Sequence, residues 1–181
     1  MRIIAFVGMP ASGKGEAADV AQELGYPVVN MGDVVREEVH RLDLEPTDEN
    51  LGGTGTRLRT EEGLSAIARR CVTKLCALKG GVAVVDGVRN IEEVHLFKDE
   101  FGDEFLLINV RSSTEDRLTR IRGRGRADDK LMDEENLRIR DERELGWGMG
   151  ESINNADLTI VNDGTVDLFR KKIRTVIEEQ R

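Results

Sequence analysis

Gly8-Met9-Pro10-Ala11-Ser12-Gly13-Lys14-Gly15 constrains what this chain can fold into more than any other stretch. It follows the apolar run Ile3-Ile4-Ala5-Phe6-Val7 and opens a segment in which Ala17, Val20, Ala21 and Leu24 recur at helical spacing. Strand, glycine-bounded loop and helix, with the spacing Gly-x4-Gly-Lys, match a P-loop, whose backbone N–H groups curl round a polyphosphate while the lysine reaches the outer phosphates. Glycines admit the close approach of backbone to phosphate, and the helix N-terminus adds positive potential. Residues Gly8 to Gly15 are therefore the candidate phosphate-binding set. Gly15 stands where most P-loops carry the Ser or Thr that holds magnesium. Glu16 has two readings, a metal ligand acting through water or a charge favourable to the helix dipole, of which the second is preferred.

The length, 181 residues, suits one domain with a small inserted lobe. With 39% hydrophobic and 34% charged residues the composition is that of a globular protein, and the net charge is -8. Such acidity argues against broad nucleic-acid or anionic-membrane binding, so an anionic substrate must meet local arginines. Cys71 and Cys76, five apart on an expected helix, fit neither a metal site nor a disulfide framework and read as packing residues of a reduced cytoplasmic protein. No apolar run is long enough for a membrane span, and no signal peptide is expected.

Further along, Val28-Val29 begins a second strand, and Val35, Val39 and Leu42 place Arg36 on a helix just beyond its tip. Residues 44–60 read as a loop or short helix containing Gly52, Gly53, Gly55, Arg57 and Arg59, and residues 61–78 as a long packing helix that includes Leu64. Val82-Ala83-Val84-Val85-Asp86 reads as a buried strand ending in an acid, where a carboxylate is placed to hold magnesium through water. Arg89 follows at the same edge, and with Arg36 it suits capture of a substrate phosphate. A fourth strand, 105–110, leads through a helix to Arg120-Ile121-Arg122-Gly123-Arg124-Gly125-Arg126, an arginine-rich run expected to splay from a mobile lid. An RNA-binding patch competes with that reading but lacks interleaved aromatics. One of Arg138, Arg140 and Arg143 is expected to face the crevice, and Trp147 to serve as a packing anchor. The fifth strand, 157–162, brings Asn162 within expected reach of a nucleotide base.

These stretches resemble the nucleoside monophosphate kinases over essentially the whole chain. Gly8 to Gly15 resembles the adenylate kinase loop, Gly32-Asp33-x-x-Arg36 its acceptor-phosphate motif, and Asp86-Gly87-x-Arg89 its Asp-Gly-Phe-Pro-Arg, one residue shorter. Arg120-x-x-Gly-Arg124 and Arg126-x-Asp128-Asp129 resemble the two ends of its lid, with little between them. Ala156-Asp157 through Asn162-Asp163-Gly164 is similar to dephospho-CoA kinase. The nearest resemblance is to archaeal P-loop proteins related to both, which share Met-Gly-Asp-Val-Val-Arg-Glu and Arg-Glu-Leu-Gly-Trp-Gly.

The resemblance implies an α/β P-loop fold: a five-stranded parallel sheet of order 2-3-1-4-5, helices on both faces, a substrate lobe at about 31–75 and a short lid at about 120–135. It implies ATP and magnesium as cofactors and transfer of the γ-phosphate to a nucleotide or nucleotide-like small molecule, with dephospho-CoA phosphorylation or a partner-dependent ATPase switch as alternatives. In that scheme Gly8 through Glu16 and Asn162 bind ATP, Asp33, Arg36 and Arg89 bind the acceptor, Asp86 holds the metal, and Lys14, Arg120, Arg124 and Arg126 act on the transferring group.

Overall fold

A computed structural model of the chain describes residues 1–124 and 134–180. The described residues contain a five-stranded parallel sheet in the order β2-β3-β1-β4-β5. Its strands are β1 Arg2–Val7, β2 Val28–Asn30, β3 Val82–Val88, β4 Phe105–Arg111 and β5 Leu158–Val161. The helices are α1 Lys14–Glu23, α2 Met31–Arg41, α3 Asp48–Glu62, α4 Ala66–Cys76, α5 Ile91–Phe101, α6 Thr114–Arg124, α7 Glu134–Gly146, α8 Met149–Asn154 and α9 Val166–Glu178.

Alternation along β1 decides which face each helix covers. Ile3, Ala5 and Val7 point into a core completed by α2, Leu58 of α3, α4, Val94 and Phe97 of α5, and Met149 of α8. Ile4 and Phe6 point into the opposite core, closed by α1 and by Phe169, Ile173 and Ile177 of α9. Burial on both faces explains why the strands are continuous apolar runs. Cys71 belongs to the first core, where burial pushes its thiol up to about 12.

Two expectations are corrected. The long helix expected over 61–78 divides at Gly63, whose φ of 93° ends α3, and Leu64 in the break is 42% exposed. The preceding segment, read as loop or short helix, is the fifteen-residue helix α3, capped by Thr47, whose side chain accepts from the Asn50 amide. Glycine disfavours a helix by about 1 kcal/mol each, but the helix buries Leu58 and Arg59, and two of its glycines leave room for neighbours. A Cβ on Gly52 would stand 2.5 Å from the Arg143 guanidinium, and one on Gly55 3.3 Å from that of Arg59.

α3 is joined to the sheet domain through a buried ion pair: Arg59 donates to Glu93 at 2.8 Å, with the two side chains 3% and 0% exposed. Glu93 also accepts from the backbone amides of Arg89 and Asn90, while Asn90 caps α5 by accepting from the Glu93 amide. Glu93→Ala would strand the Arg59 charge and remove a cap at once. It is expected to lower unfolding stability by about 3–5 kcal/mol, read as a urea midpoint shift, whereas Glu92→Ala on the same turn should change it by less than about 0.5 kcal/mol.

Candidate functional site

The loop from Gly8 to Lys14 takes alternating backbone hands, with φ of 148° at Gly8, 60° at Ala11 and 117° at Gly13. Such alternation bends successive peptides into an anion-accepting concavity. Gly8 has a further reason to be glycine, because a Cβ there would lie 2.4 Å from the Val110 carbonyl oxygen. Five consecutive carbonyls of the loop accept from side-chain donors. Lys14 Nζ donates to Gly8 at 2.5 Å and Met9 at 3.0 Å, Arg117 to Pro10 at 3.2 Å, Arg120 to Ala11 at 3.5 Å and Asn162 to Ser12 at 2.9 Å. Each peptide is planar, so the N–H after a carbonyl points opposite to it; Met9 is followed by Pro10, which has none, and the Ser12 amide is taken by the Met9 carbonyl at 3.1 Å, which leaves the amides of Met9, Ala11 and Gly13. The first-turn amides of α1, beginning at Lys14, lack intrahelical acceptors and join them.

The parallel register carries the other strand tips to the same edge. Asp86 sits opposite Phe6 and Val88 opposite Val7, so Gly87, at φ 96°, is an extra residue that bulges β3. Asp86 is 7% exposed and accepts from Asn30 Nδ2 at 2.9 Å. Arg89 follows the bulge with its backbone amide held by Glu93 at 2.8 Å. A cleft of about 380 Å³ runs between these tips, lined among others by Lys14, Asp86, Arg89, Arg120, Asn162 and Phe169. That size is ordinary for a small-molecule site.

On its far side the cleft adjoins an inner chamber of about 50 Å³ between α3 and α7. Arg36, Arg89, Arg140 and Glu144 line both spaces. Arg143 is held in the chamber by Asp48 at 2.8 and 3.0 Å. The Trp147 ring lies beneath three guanidiniums, those of Arg59, Arg143 and Arg89 at 4.5, 5.6 and 5.9 Å, and its Nε1 donates to Thr56 at 3.3 Å.

The expected residues fare differently. Lys14, Asp86, Arg36 and Arg89 converge on the cleft, with Arg36 paired to Asp33 at 2.7 Å. Asn162 reaches the loop, but its amide is committed to the Ser12 carbonyl instead of extending toward a base. Arg120 rides on α6 and not on a mobile loop, since the helix continues through Gly123; its guanidinium donates to Ser112 Oγ at 2.6 Å and to the Asn162 carbonyl at 3.0 Å. Arg124 ends that helix; its side chain, and Arg126 and the rest of the expected lid at 125–133, lie outside the described residues. The Glu16 carboxylate forms an ion pair with Arg170 of α9. Arg57 pairs with Glu38 at 2.8 Å. Among the α7 arginines, Arg140 lines the cleft while Arg138 pairs with Glu135 at 2.6 Å on the exterior. Two residues were missed: Arg117, 4% exposed and bound by Asp141 at 2.6 and 2.9 Å, and Glu144, 3% exposed. The signals for Glu144 were the Arg140-x-x-x-Glu144 spacing on one helix face and its place in the shared stretch Arg143-Glu144-Leu145-Gly146-Trp147-Gly148.

Residues 7–137 match the family model described as AAA domain. A UPF0200 protein from Methanosarcina mazei is 51% identical over 177 residues, spanning 98% of this chain and 94% of that protein. Among solved structures, a gluconokinase from Sinorhizobium meliloti superposes with a TM-score of 0.60 at 16% identity, covering 98% of this chain and 92% of that one. The deoxyadenosine kinase from M. mycoides gives 0.57 at 17%, covering 98% and 99%. Identities this low show a shared P-loop kinase-like fold.

Burial lowers the Lys14 pKa to about 8, against the opposing pull of Asp86 and Glu144. A polyphosphate beside Nζ would favour the ammonium and raise that value again, so binding takes up a proton above pH 8. Nucleotide affinity is therefore expected to be full below pH 8 and to fall by up to about tenfold per unit above it. Calorimetry at pH 8.5 in buffers of different ionisation enthalpy should record the uptake, and Lys14→Met should abolish it; an affinity flat from pH 7 to 9.5 would contradict the assignment.

Proposed function

The chain belongs to the UPF0200 family and carries a P-loop AAA domain, and from these facts we propose that it is an ATP-dependent phosphotransferase acting on a nucleotide or nucleotide-like small molecule. The observation that carries this reading is the convergence of Lys14, Arg36, Arg89 and Arg140 on one cleft at the mouth of the phosphate loop. Phosphoryl transfer needs little covalent help; positioning and charge stabilisation provide most of the acceleration. The loop amides and Lys14 hold the donor phosphates. The donor base lies outward along the cleft, against the apolar surface of Val166 and Phe169. That wall offers stacking and contact in place of polar readout, in keeping with the commitment of the Asn162 amide to Ser12.

The donor set also fits magnesium. The cation keeps several waters and needs only one or two carboxylates beside phosphate oxygens, and Asp86 is a nearly buried carboxylate at the strand tip facing Lys14. When bound, the metal neutralises charge on the β- and γ-phosphates. Arg36, Arg89 and Arg140 hold an anionic group of the acceptor, and Arg120, Arg124 and Arg126 cover the transferring phosphoryl. The gluconokinase and deoxyadenosine kinase likenesses support a small-molecule acceptor through fold alone.

The decisive assay offers ATP and magnesium with a panel of nucleoside monophosphates and dephospho-CoA, while phosphorylated products are followed by mass. Lys14→Ala is expected to lower turnover by roughly a hundredfold or more with an unchanged circular-dichroism spectrum. Arg89→Ala should mainly raise the acceptor KM. ATP loss unaffected by every acceptor but accelerated by a protein or RNA partner would favour the ATPase switch instead.

A further inference from the structure

Glu144 has no part in holding phosphate, yet it is one of the most enclosed ionisable side chains of the site, at 3% exposure, and it stands where the cleft opens into the inner chamber. The other acids here are committed to closer partners. Asp48 is gripped by Arg143 at 2.8 Å, Asp33 by Arg36 at 2.7 Å and Asp86 by Asn30 at 2.9 Å. Glu16 is paired with Arg170, and Asp19 is exposed at the cleft margin. Around Glu144 the contacts are longer, with Arg140 Nε donating to Oε1 at 3.5 Å and Arg89 Nε 3.7 Å from Oε2.

Burial by itself would raise its pKa, but Arg89, Arg140, Lys14 and Arg143 outweigh that and hold the carboxyl below the usual carboxylate range. It is thus an anion whose lone pairs are loosely engaged, so it accepts hydrogen bonds and donates none. Such a group opposes a phosphate oxygen arriving as nucleophile, because two anions would meet in a poorly solvated space. It favours a nucleophile that brings a proton.

Taking the phosphotransfer reading above as its premise, we infer that Glu144 is the catalytic base for a hydroxyl acceptor, carried on a small anionic molecule whose charge is held by Arg36 and Arg89. The hydroxyl oxygen bonds to the γ-phosphorus as the bond from that phosphorus to the β,γ-bridging oxygen breaks, and the bridging electron pair leaves with ADP. The hydroxyl proton passes to the Glu144 carboxylate and from there to water. A strongly basic carboxylate is not required, because nucleophile bonding is weak in a loose phosphoryl transition state and the proton moves late. The product is a phosphate ester.

The test supplies the full chain with ATP, magnesium and either nucleoside 5′-monophosphates or two anionic alcohols, dephospho-CoA and gluconate, and reads the product by phosphorus NMR. A new ester phosphorus shows no coupling to another phosphorus, whereas a new phosphoanhydride shows a doublet. An ester is expected, and Glu144→Gln should lower kcat by roughly a hundredfold or more with both KM values within about threefold. Because Glu144→Gln leaves neighbouring cations less balanced, Glu144→Asp provides a second variant that keeps the charge but retracts it. It should lower kcat at least about tenfold with an unchanged thermal midpoint. An anhydride product, or Glu144→Gln turning over within about threefold of the parent, would overturn the role of Glu144 and leave phosphotransfer standing. Failure of the wild-type chain to phosphorylate any acceptor despite binding ATP would remove the premise and this inference with it.

Discussion

The capture of the loop carbonyls by side-chain donors is the constraint on which the site depends. Carbonyls left facing the cavity would repel a phosphate as surely as amides attract it, and the backbone itself has no preference strong enough to settle the matter. Here Arg117, Arg120 and Asn162 take the oxygens of residues 10 through 12, and Lys14 takes those of residues 8 and 9. Three of these donors come from the distant segments α6 and the end of β5. The loop shape is therefore a property of the whole fold, even though its glycines are local.

A second requirement follows from concentrating so much positive charge. Lys14, Arg89, Arg140 and Arg143 share a poorly hydrated region, and without acids among them the cost of folding would be severe. Asp86, Asp48 and Glu144 provide that balance at distances that differ in a telling way. Asp48 is bound bidentately by Arg143, which stiffens the wall, while Glu144 is held at longer range, by Arg140 at 3.5 Å and Arg89 at 3.7 Å. Glu93 works from beneath, fixing the backbone amide of Arg89 and the guanidinium of Arg59 together.

Much of this was legible in the chain. The apolar runs of β1, β3 and β4 and the Gly-x4-Gly-Lys spacing are local signals, and they yielded the strands and the phosphate loop, while the sheet order came from the resemblance to the nucleoside monophosphate kinases. The arginines at 36 and 89 were legible because each follows a strand tip. Failures came where a residue's meaning is set by a partner far away in sequence. Three glycines within four residues read as a loop or short helix, yet Gly52 and Gly55 sit on a fifteen-residue helix where guanidiniums from α7 and from Arg59 need the space. Asn162 read as a base contact, but its partner is a carbonyl 150 residues earlier. Glu144 stands where the arginine-rich helix runs into a glycine-rich turn, and no periodic signal in the sequence marks that side of α7 as facing inward.

The two ends of the cavity are built from different material. The donor end is made of strand tips and the loop between β1 and α1, whose geometry is locked to the register of the sheet. The chamber beyond is lined largely from α3 and α7, which take no part in the strand pairing. Divergence within such a scaffold is therefore expected to be lopsided, with nucleotide handling held fixed while the chemical taste of the inner pocket drifts from one lineage to another.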